Sequence, residues 1–171
     1  DKEISKKIFV KNKILTPKYI KYTFNKKVNK NEIIKKVKHN IGFPAVIKPF
    51  NEGSSVQVYI CERSNFIKNL MKLSSYHEVL IEKYIPGREI QVAILGNTKL
   101  GAIELKPKRK FYDYKAKYNA NAKTQHIIPV NLKKNQMNKL LEIALKAHKI
   151  IGCRGVTRSD FKFYNNKFYL L

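Results

Sequence analysis

A strand–loop–strand pattern at residues 45–58, AVIKPFNEGSSVQV, constrains the fold more than any other stretch of the chain. The first strand is apolar and ends at Lys48, and a second strand is predicted from Val56. The loop between them contains Gly53-Ser54-Ser55, where glycine lets the backbone come close and N–H groups and hydroxyls can point inward. With Lys48 this loop is a candidate phosphate cradle, and the alternative is an ordinary β-turn with a solvated lysine.

Apolar periodicity and turn signals along the rest of the chain predict helices that alternate with short strands. The predicted helices cover residues 1–13, 32–39, 64–73 and 132–151, and the other predicted strands cover residues 19–22, 78–85, 89–95, 99–105, 155–163 and 167–171. The apolar stripe of the last helix predicts a core position and not a cofactor site. This order indicates an α+β fold with antiparallel sheets, not a doubly wound parallel sheet.

The formal net charge of +24 raises the question of a nucleic-acid partner. Lysine accounts for 31 of the 36 basic residues and arginine for only five, whereas proteins that read base edges rely heavily on arginine. The lysines are spread along the chain, which indicates a compositional bias at solvated positions, so we predict no nucleic-acid partner. No apolar run approaches the ~20 residues that span a bilayer, so we predict no membrane partner. Cys61 and Cys153 are far apart in sequence, which favours reduced thiols.

Two further segments carry polar residues suited to nucleotide chemistry. In IEKYIPGRE, residues 81–89, the backbone can meet an adenine edge, and Glu82 and Glu89 flank the turn where a carboxylate can bind ribose hydroxyls. The alternative for both is a solvated strand charge. Asp160, two residues after Arg158, is a candidate Mg²⁺ ligand because Mg²⁺ usually takes one or two carboxylates plus substrate phosphates. The alternative for this pair is a hairpin ion pair.

Residues 106–131 form a long stretch with no periodic pattern, crowded with aromatic and cationic side chains. Long loops in compact domains are usually functional or disordered, and this composition favours a lid that becomes ordered. It contains FYDYKAKY, residues 111–118.

Together these segments resemble the D-alanine–D-alanine ligases of the ATP-grasp superfamily. The resemblance covers essentially the whole chain and is carried by DKEISK, VIKPFNEGSSV, EVLIEKYIPGREI, FYDYKAKY, GCRGVTRSDF and FYLL. FYDYKAKY is the most specific, because other ATP-grasp enzymes share the adenine and phosphate elements but not this sequence. The resemblance implies two α+β subdomains with nucleotide between them: residues 1–88 form the small one, and residues 89–171, with lid 106–131, begin the large one.

The resemblance also implies a role for individual residues. The implied nucleotide-binding residues are Lys2, Lys48, Ser54, Ser55, Glu82, Lys83, Tyr84, Ile85, Glu89, Tyr112 and Lys117. Of these, Lys2 and Lys48 would contact phosphates, residues 82–85 would line the adenine pocket, Glu89 would hold the ribose, and Lys117 would reach the γ-phosphate. The implied catalytic residues are Ser54, Tyr118 and Arg158, and the implied ligand of Mg²⁺ (or Mn²⁺) is Asp160.

The roles of the catalytic residues follow the family reaction. Arg158 would stabilise the transferring phosphate and the tetrahedral intermediate, and Tyr118 and Ser54 would belong to a hydrogen-bonded group near the first substrate. Relatives that make D-alanyl-D-lactate lack the tyrosine corresponding to Tyr118, so its presence implies a dipeptide product.

The implied function is the joining of two D-alanines through D-alanyl phosphate, with ATP, for peptidoglycan precursor synthesis in the cytoplasm by a homodimer. The alternatives are another ATP-grasp carboxylate–amine ligase and a non-catalytic remnant. Gln57 stands where the family usually has glycine, and the chain ends at Leu171, one residue before the family's Glu-x-Asn metal ligands. The family's N-terminal domain is also absent from the chain. We therefore interpret the chain as a piece of a longer ligase and expect the piece alone to be inactive.

Overall fold

A computed structural model describes residues 2–24, 29–53, 56–107 and 124–171. The helices in these ranges are α1 (Lys2–Lys11), α2 (Lys30–Asn40), α3 (Phe66–Met71) and α4 (Lys134–Ile151). The strands are β1 (Tyr19–Thr23), β2 (Ala45–Pro49), β3 (Tyr59–Cys61), β4 (Glu78–Lys83), β5 (Arg88–Leu95), β6 (Thr98–Lys106), β7 (Gln125–Ile127), β8 (Val156–Tyr164) and β9 (Lys167–Leu170). Every strand pairing among the described residues is antiparallel, which confirms the prediction of an α+β fold.

The chain divides into two compact units. One unit comprises Asp1–Glu3 with Pro17–Tyr84, and the other comprises Ile4–Thr16 with Ile85–Leu171. The division falls four residues before the predicted boundary at residue 88 and assigns residues 4–16 to the second unit. The physical reason is that Phe9, on α1, packs into the core of that unit.

The first unit is built on a four-stranded sheet in the order β1-β4-β2-β3. One face of this sheet is covered by α2 and α3. Ala45 and Ile47 on β2 and Ile81 on β4 are fully buried on that face. They share a core with Val37 of α2 and Leu70 of α3, and each fully buried large aliphatic side chain of this kind contributes roughly 1.5–3 kcal/mol.

The second unit is built on a five-stranded sheet in the order β7-β6-β5-β8-β9, with α4 against one face. Ile90 and Val92 of β5 and Phe161 of β8 are fully buried there. They pack in one core with Leu140 and Ala144, which lie on the apolar stripe of α4, so the core interpretation of that stripe is confirmed.

Glycine and asparagine residues stand where the predicted helix 132–151 ends and where the last two predicted strands are joined, and both places have a positive φ. Gly152 ends α4 with φ 80°, and Asn165 and Asn166 join β8 to β9 with φ 46° and 58°, values that Asn adopts more readily than most residues. None of the helices in the described ranges is long and apolar enough to cross a membrane.

Several predicted element bounds were wrong. The strand predicted from Val56 begins at Tyr59, because Val56 and Gln57 form a turn in which the Val56 N–H donates to Gly53 O at 3.0 Å. Gln57 has φ 52°, a conformation that glycine adopts without steric cost, which is a physical reason for the family's usual glycine there.

Three other sequence-based assignments need correction. Residues 125–127, predicted as part of an irregular stretch, form β7 because they pair with the end of β6. The helix predicted over residues 64–73 covers only Phe66–Met71, and the residue at its N-cap is Asn65. Ile151, the last residue of the helix whose apolar stripe was predicted to lie in the core, is 41% exposed because it lies in the last turn of α4.

Candidate functional site

In the first unit, Lys48 and Glu82 form an ion pair between neighbouring strands. The antiparallel register places Val46 opposite Glu82 and Lys48 opposite Leu80. Because side chains alternate along a strand, Lys48 and Glu82 share the sheet face that points away from α2 and α3. Lys48 Nζ lies 2.9 Å from Glu82 Oε2, and the two side chains are 12% and 3% exposed. The alternative of a solvated lysine and a solvated strand carboxylate is therefore wrong for this pair.

Lys2 adds a second ammonium group close to this ion pair. Its Nζ donates to Phe50 O at 2.8 Å and to the carbonyl oxygen of Glu52, so it holds the beginning of the predicted phosphate loop. Burial lowers the pKa of Lys2 below its ordinary value, and the positive charge of Lys48 lowers it further. The carboxylates of Glu82 and Glu52 act in the opposite direction. Lys2 and Lys48 thus bring two ammonium groups close to the buried Glu82 carboxylate.

At the end of β4 and directly after it, two backbone N–H groups already donate to other parts of the chain. The Lys83 N–H donates to Lys18 O at 2.8 Å, and the Tyr84 N–H donates to Pro44 O at 3.2 Å. The part of the chain that the structure describes shows no acceptor for the Ile85 N–H. The adenine role of this segment stays a prediction.

In the second unit, polar side chains line the sheet face that points away from α4. The register of β5 with β8 places Glu89 opposite Lys162 and Gln91 opposite Asp160, and Arg158 follows on the same face of β8. Glu89 Oε2 lies 3.0 Å from Lys162 Nζ, and these side chains are only 8% and 12% exposed. The alternative of a solvated charge is therefore also wrong for Glu89.

Arg158 and Asp160 form the ion pair that was the alternative to a metal site. Arg158 donates from Nε to Asp160 Oδ1 at 2.9 Å and from Nη2 to Oδ2 at 3.5 Å. Among residues 2–24, 29–53, 56–107 and 124–171, no three His, Cys, Asp or Glu side chains gather around a common point suited to a metal. A single carboxylate still fits Mg²⁺ when phosphate oxygens and water supply the other ligands. The metal role of Asp160 stays a prediction.

Comparison with known proteins decides the family. The family model described as "D-ala D-ala ligase C-terminus" matches residues 8–171. The chain belongs to the D-alanine–D-alanine ligase family. It is 69% identical over 171 residues to the D-alanine–D-alanine ligase of Pelagibacter ubique (strain HTCC1062), an alignment that covers 100% of the chain and 56% of that ligase. The chain thus spans little more than half the length of this relative.

Solved ligase structures share the fold. The D-alanine–D-alanine ligase of Bacillus anthracis matches 100% of the chain and 55% of its own length, with a TM-score of 0.81 and 33% sequence identity. The Bacillus anthracis ligase complexed with ATP matches with a TM-score of 0.77 and 27% identity over 100% of the chain and 53% of its own length. The predictions of the family and of the ATP-grasp fold are confirmed.

Five residues that the ligase resemblance implicates lie outside the described residues, and the roles predicted for them stay predictions. They are Ser54, Ser55, Tyr112, Lys117 and Tyr118.

Two interactions near the ligase segment at residues 82–89 were not predicted. One is the contact of Lys162 with Glu89. The other is made by Arg88, which donates from Nε and Nη2 to the Glu104 carboxylate at 2.8 and 2.6 Å and from Nη1 to Asn131 O at 2.9 Å. The hydrogen bond to Glu104 raises the pKa of Arg88. The sequence gives no signal for either interaction, because both depend on strand register.

Proposed function

We propose that this chain is the ATP-binding portion of a D-alanine–D-alanine ligase that joins two D-alanines through D-alanyl phosphate. The observation that carries the proposal is the row of polar side chains away from α4, where Glu89, Asp160 and Arg158 lie on one sheet face. The row belongs to a chain that is 69% identical to a D-alanine–D-alanine ligase over its whole length. A face that served only for packing would be apolar, like the opposite face of the same sheet.

The nucleotide contacts proposed for the chain up to Ile85 involve phosphate and base. Lys2 and Lys48 supply positive charge for the phosphates, and Ser54 and Ser55 supply further donors from the loop. The segment of Glu82, Lys83, Tyr84 and Ile85 lines the adenine pocket, partly through its backbone.

The second unit is proposed to bind ribose and to act on the transferring phosphate. Glu89 accepts hydrogen bonds from ribose hydroxyls. An oxygen of the first D-alanine carboxylate attacks the γ-phosphorus of ATP, and the bond to ADP breaks. The amine of the second D-alanine then attacks the acyl carbon, the bond from that carbon to the phosphate oxygen breaks, and the nitrogen releases a proton as phosphate leaves. Negative charge grows on oxygen in both steps, and a fixed guanidinium such as Arg158 stabilises it.

The two domains and the lid are proposed from the same resemblance. We interpret the two compact units as the two ATP-grasp subdomains. The proposed lid is the stretch 106–131, apart from Lys106 at the end of β6 and the short strand β7. With Tyr112, Lys117 and Tyr118, this lid would exclude water, because an acyl phosphate hydrolyses readily. Bound Mg²⁺ or Mn²⁺ would neutralise phosphate charge, and Asp160 is the proposed ligand from this chain.

The test compares two arginine variants of the protein that carries this chain. Arg158→Gln should lower kcat for D-alanyl-D-alanine formation by roughly 10²–10³-fold, the usual effect of removing one transition-state donor. Arg154, exposed and just before β8, is the matched control, and Arg154→Gln should leave kcat unchanged. ADP release and dipeptide are measured together.

A wild-type protein that binds ATP but makes no dipeptide would favour a non-catalytic remnant, and amide products other than the dipeptide would favour another carboxylate–amine ligase. The peptidoglycan role, the cytoplasmic location, the homodimer and the absence of a nucleic-acid partner stay predictions.

A further inference from the structure

The segment from Glu82 to Glu89 carries a buried carboxylate at each end, and a lysine on an adjacent strand holds each one. Lys48 holds Glu82 at 2.9 Å, and Lys162 holds Glu89 at 3.0 Å. The first lysine was identified from the sequence as a phosphate ligand, whereas the sequence analysis assigned no role to Lys162.

Lys162 is placed to fix the orientation of the Glu89 carboxylate. The two residues are direct partners in the antiparallel register of β5 and β8, so their side chains start from neighbouring points on one face. Both are nearly buried, and a buried ammonium–carboxylate contact is strong only in a narrow range of geometry. Within the described residues, the contact shown for the Glu89 carboxylate uses Oε2, which leaves Oε1 to accept from a ligand.

We propose that Lys162 is a positioning residue that orients the Glu89 carboxylate toward the ribose hydroxyls and so sets the preference of the site for ribonucleotides. The inference rests on the proposed function, in which Glu89 accepts from those hydroxyls. A lysine that served only to join β5 to β8 would change stability but would not change the discrimination between nucleotides that have the hydroxyls and nucleotides that lack them.

The experiment measures the Kd of ATP and of 2′,3′-dideoxy-ATP for the protein that carries this chain. Wild type should prefer ATP by roughly tenfold or more, since hydrogen bonds to a charged group carry this preference. Glu89→Gln should lose most of the preference. Lys162→Met should lose it as well while binding dideoxy-ATP within about twofold of wild type, and Lys162→Arg should restore most of it.

A control variant and a substitute variant separate a positioning role of Lys162 from a role in stability alone. Lys99 pairs with Glu142 in the same unit, so Lys99→Met removes a lysine of the same chemistry and should leave the preference intact. If Lys162→Met does not fold because Glu89 is left as an uncompensated buried charge, Lys162→Gln replaces it and is expected to lose the preference to the same extent.

The outcomes distinguish a failure of the role proposed for Lys162 from a failure of the proposed function. A Lys162 variant that folds and keeps the wild-type preference, while Glu89→Gln loses it, overturns the role of Lys162 and leaves the proposed function intact. A wild-type protein that binds neither nucleotide overturns the proposed function, and this inference with it.

Discussion

Removing Lys48 should destabilise the first unit strongly, because its partner is one of the most buried carboxylates of the chain. Glu82 is 3% exposed and Lys48 is 12% exposed, and the atoms that pair are 2.9 Å apart. Breaking a buried pair by removing one partner usually costs about 3–5 kcal/mol, since the remaining charge is left uncompensated. The charge of Lys2 acts near Glu82 and offsets part of this loss, so we expect Lys48→Met to cost about 3 kcal/mol.

Removing both charges should restore stability without restoring function. Replacing a buried ion pair by apolar residues of similar volume is often neutral or stabilising. The free energy of unfolding of the double variant, Lys48→Met with Glu82→Leu, should therefore lie within about 1 kcal/mol of the wild-type value or above it. If Lys48 contacts phosphate, ATP binding should be lost in both variants.

The assay is native-state hydrogen exchange, because a chain with two compact units need not unfold in one transition. A loss of about 3 kcal/mol should speed exchange of the buried Ile47 amide more than 100-fold. The matched control is Lys21, whose more exposed pair with Glu78 lies in the same sheet, and Lys21→Met should change exchange far less. Equal effects of Lys48→Met and Lys21→Met would refute the argument from burial.

Three further predictions test other parts of the structure. Gly87 has φ 117°, and a Cβ there would lie 2.3 Å from Phe163 O, so Gly87→Ala should lower the free energy of unfolding by about 1–3 kcal/mol. Gly155 has open space around it, so the control Gly155→Ala should lower it by less than about 0.5 kcal/mol. Similar melting temperatures for the two variants would contradict this prediction. Bound phosphate should raise the lowered pKa of Lys2, so at a pH between the pKa of Lys2 in the free protein and its pKa in the complex, ATP binding should take up a proton. Calorimetry in buffers of different ionisation enthalpy measures this uptake, and uptake that persists in Lys2→Met would assign it to another group. Tyr118→Phe should raise the use of D-lactate relative to D-alanine or slow both, measured as ester against amide product at neutral pH; an unchanged variant would remove Tyr118 from the mechanism.

The predictable part of the site is the part encoded by local sequence. Lys48, Glu82 and Glu89 stand at strand ends next to turns, and short-range patterns identify such positions well. Burial of these residues was not predictable, because a charged strand residue is usually solvated, and only the sheet to which it belongs decides.

Residues whose role depends on register were missed. In the sequence, nothing distinguishes Lys162 from the other lysines among the 31 of the chain. It becomes a candidate site residue only because β8 pairs with β5 and places Lys162 opposite Glu89. More than 70 residues of chain separate the two. If the register of β8 shifted by one residue, Lys162 would lie on the sheet face that packs against α4. The face of Lys162 can therefore be predicted only when the strand pairing is known. The early start predicted for β3 failed for a local reason, the left-handed turn at Gln57.

The two buried lysine–glutamate pairs differ in kind from the exposed pairs of the same chain. An exposed pair such as Lys99–Glu142 adds little to stability, because water and salt screen it. A buried pair also gives little net stability over an apolar replacement, since both charges must leave water. Stability alone therefore does not explain why a buried ion pair, Lys48–Glu82 or Lys162–Glu89, is present at each end of one segment. A fixed carboxylate orientation does explain them, and it predicts that joint apolar replacement preserves the fold while ligand discrimination disappears.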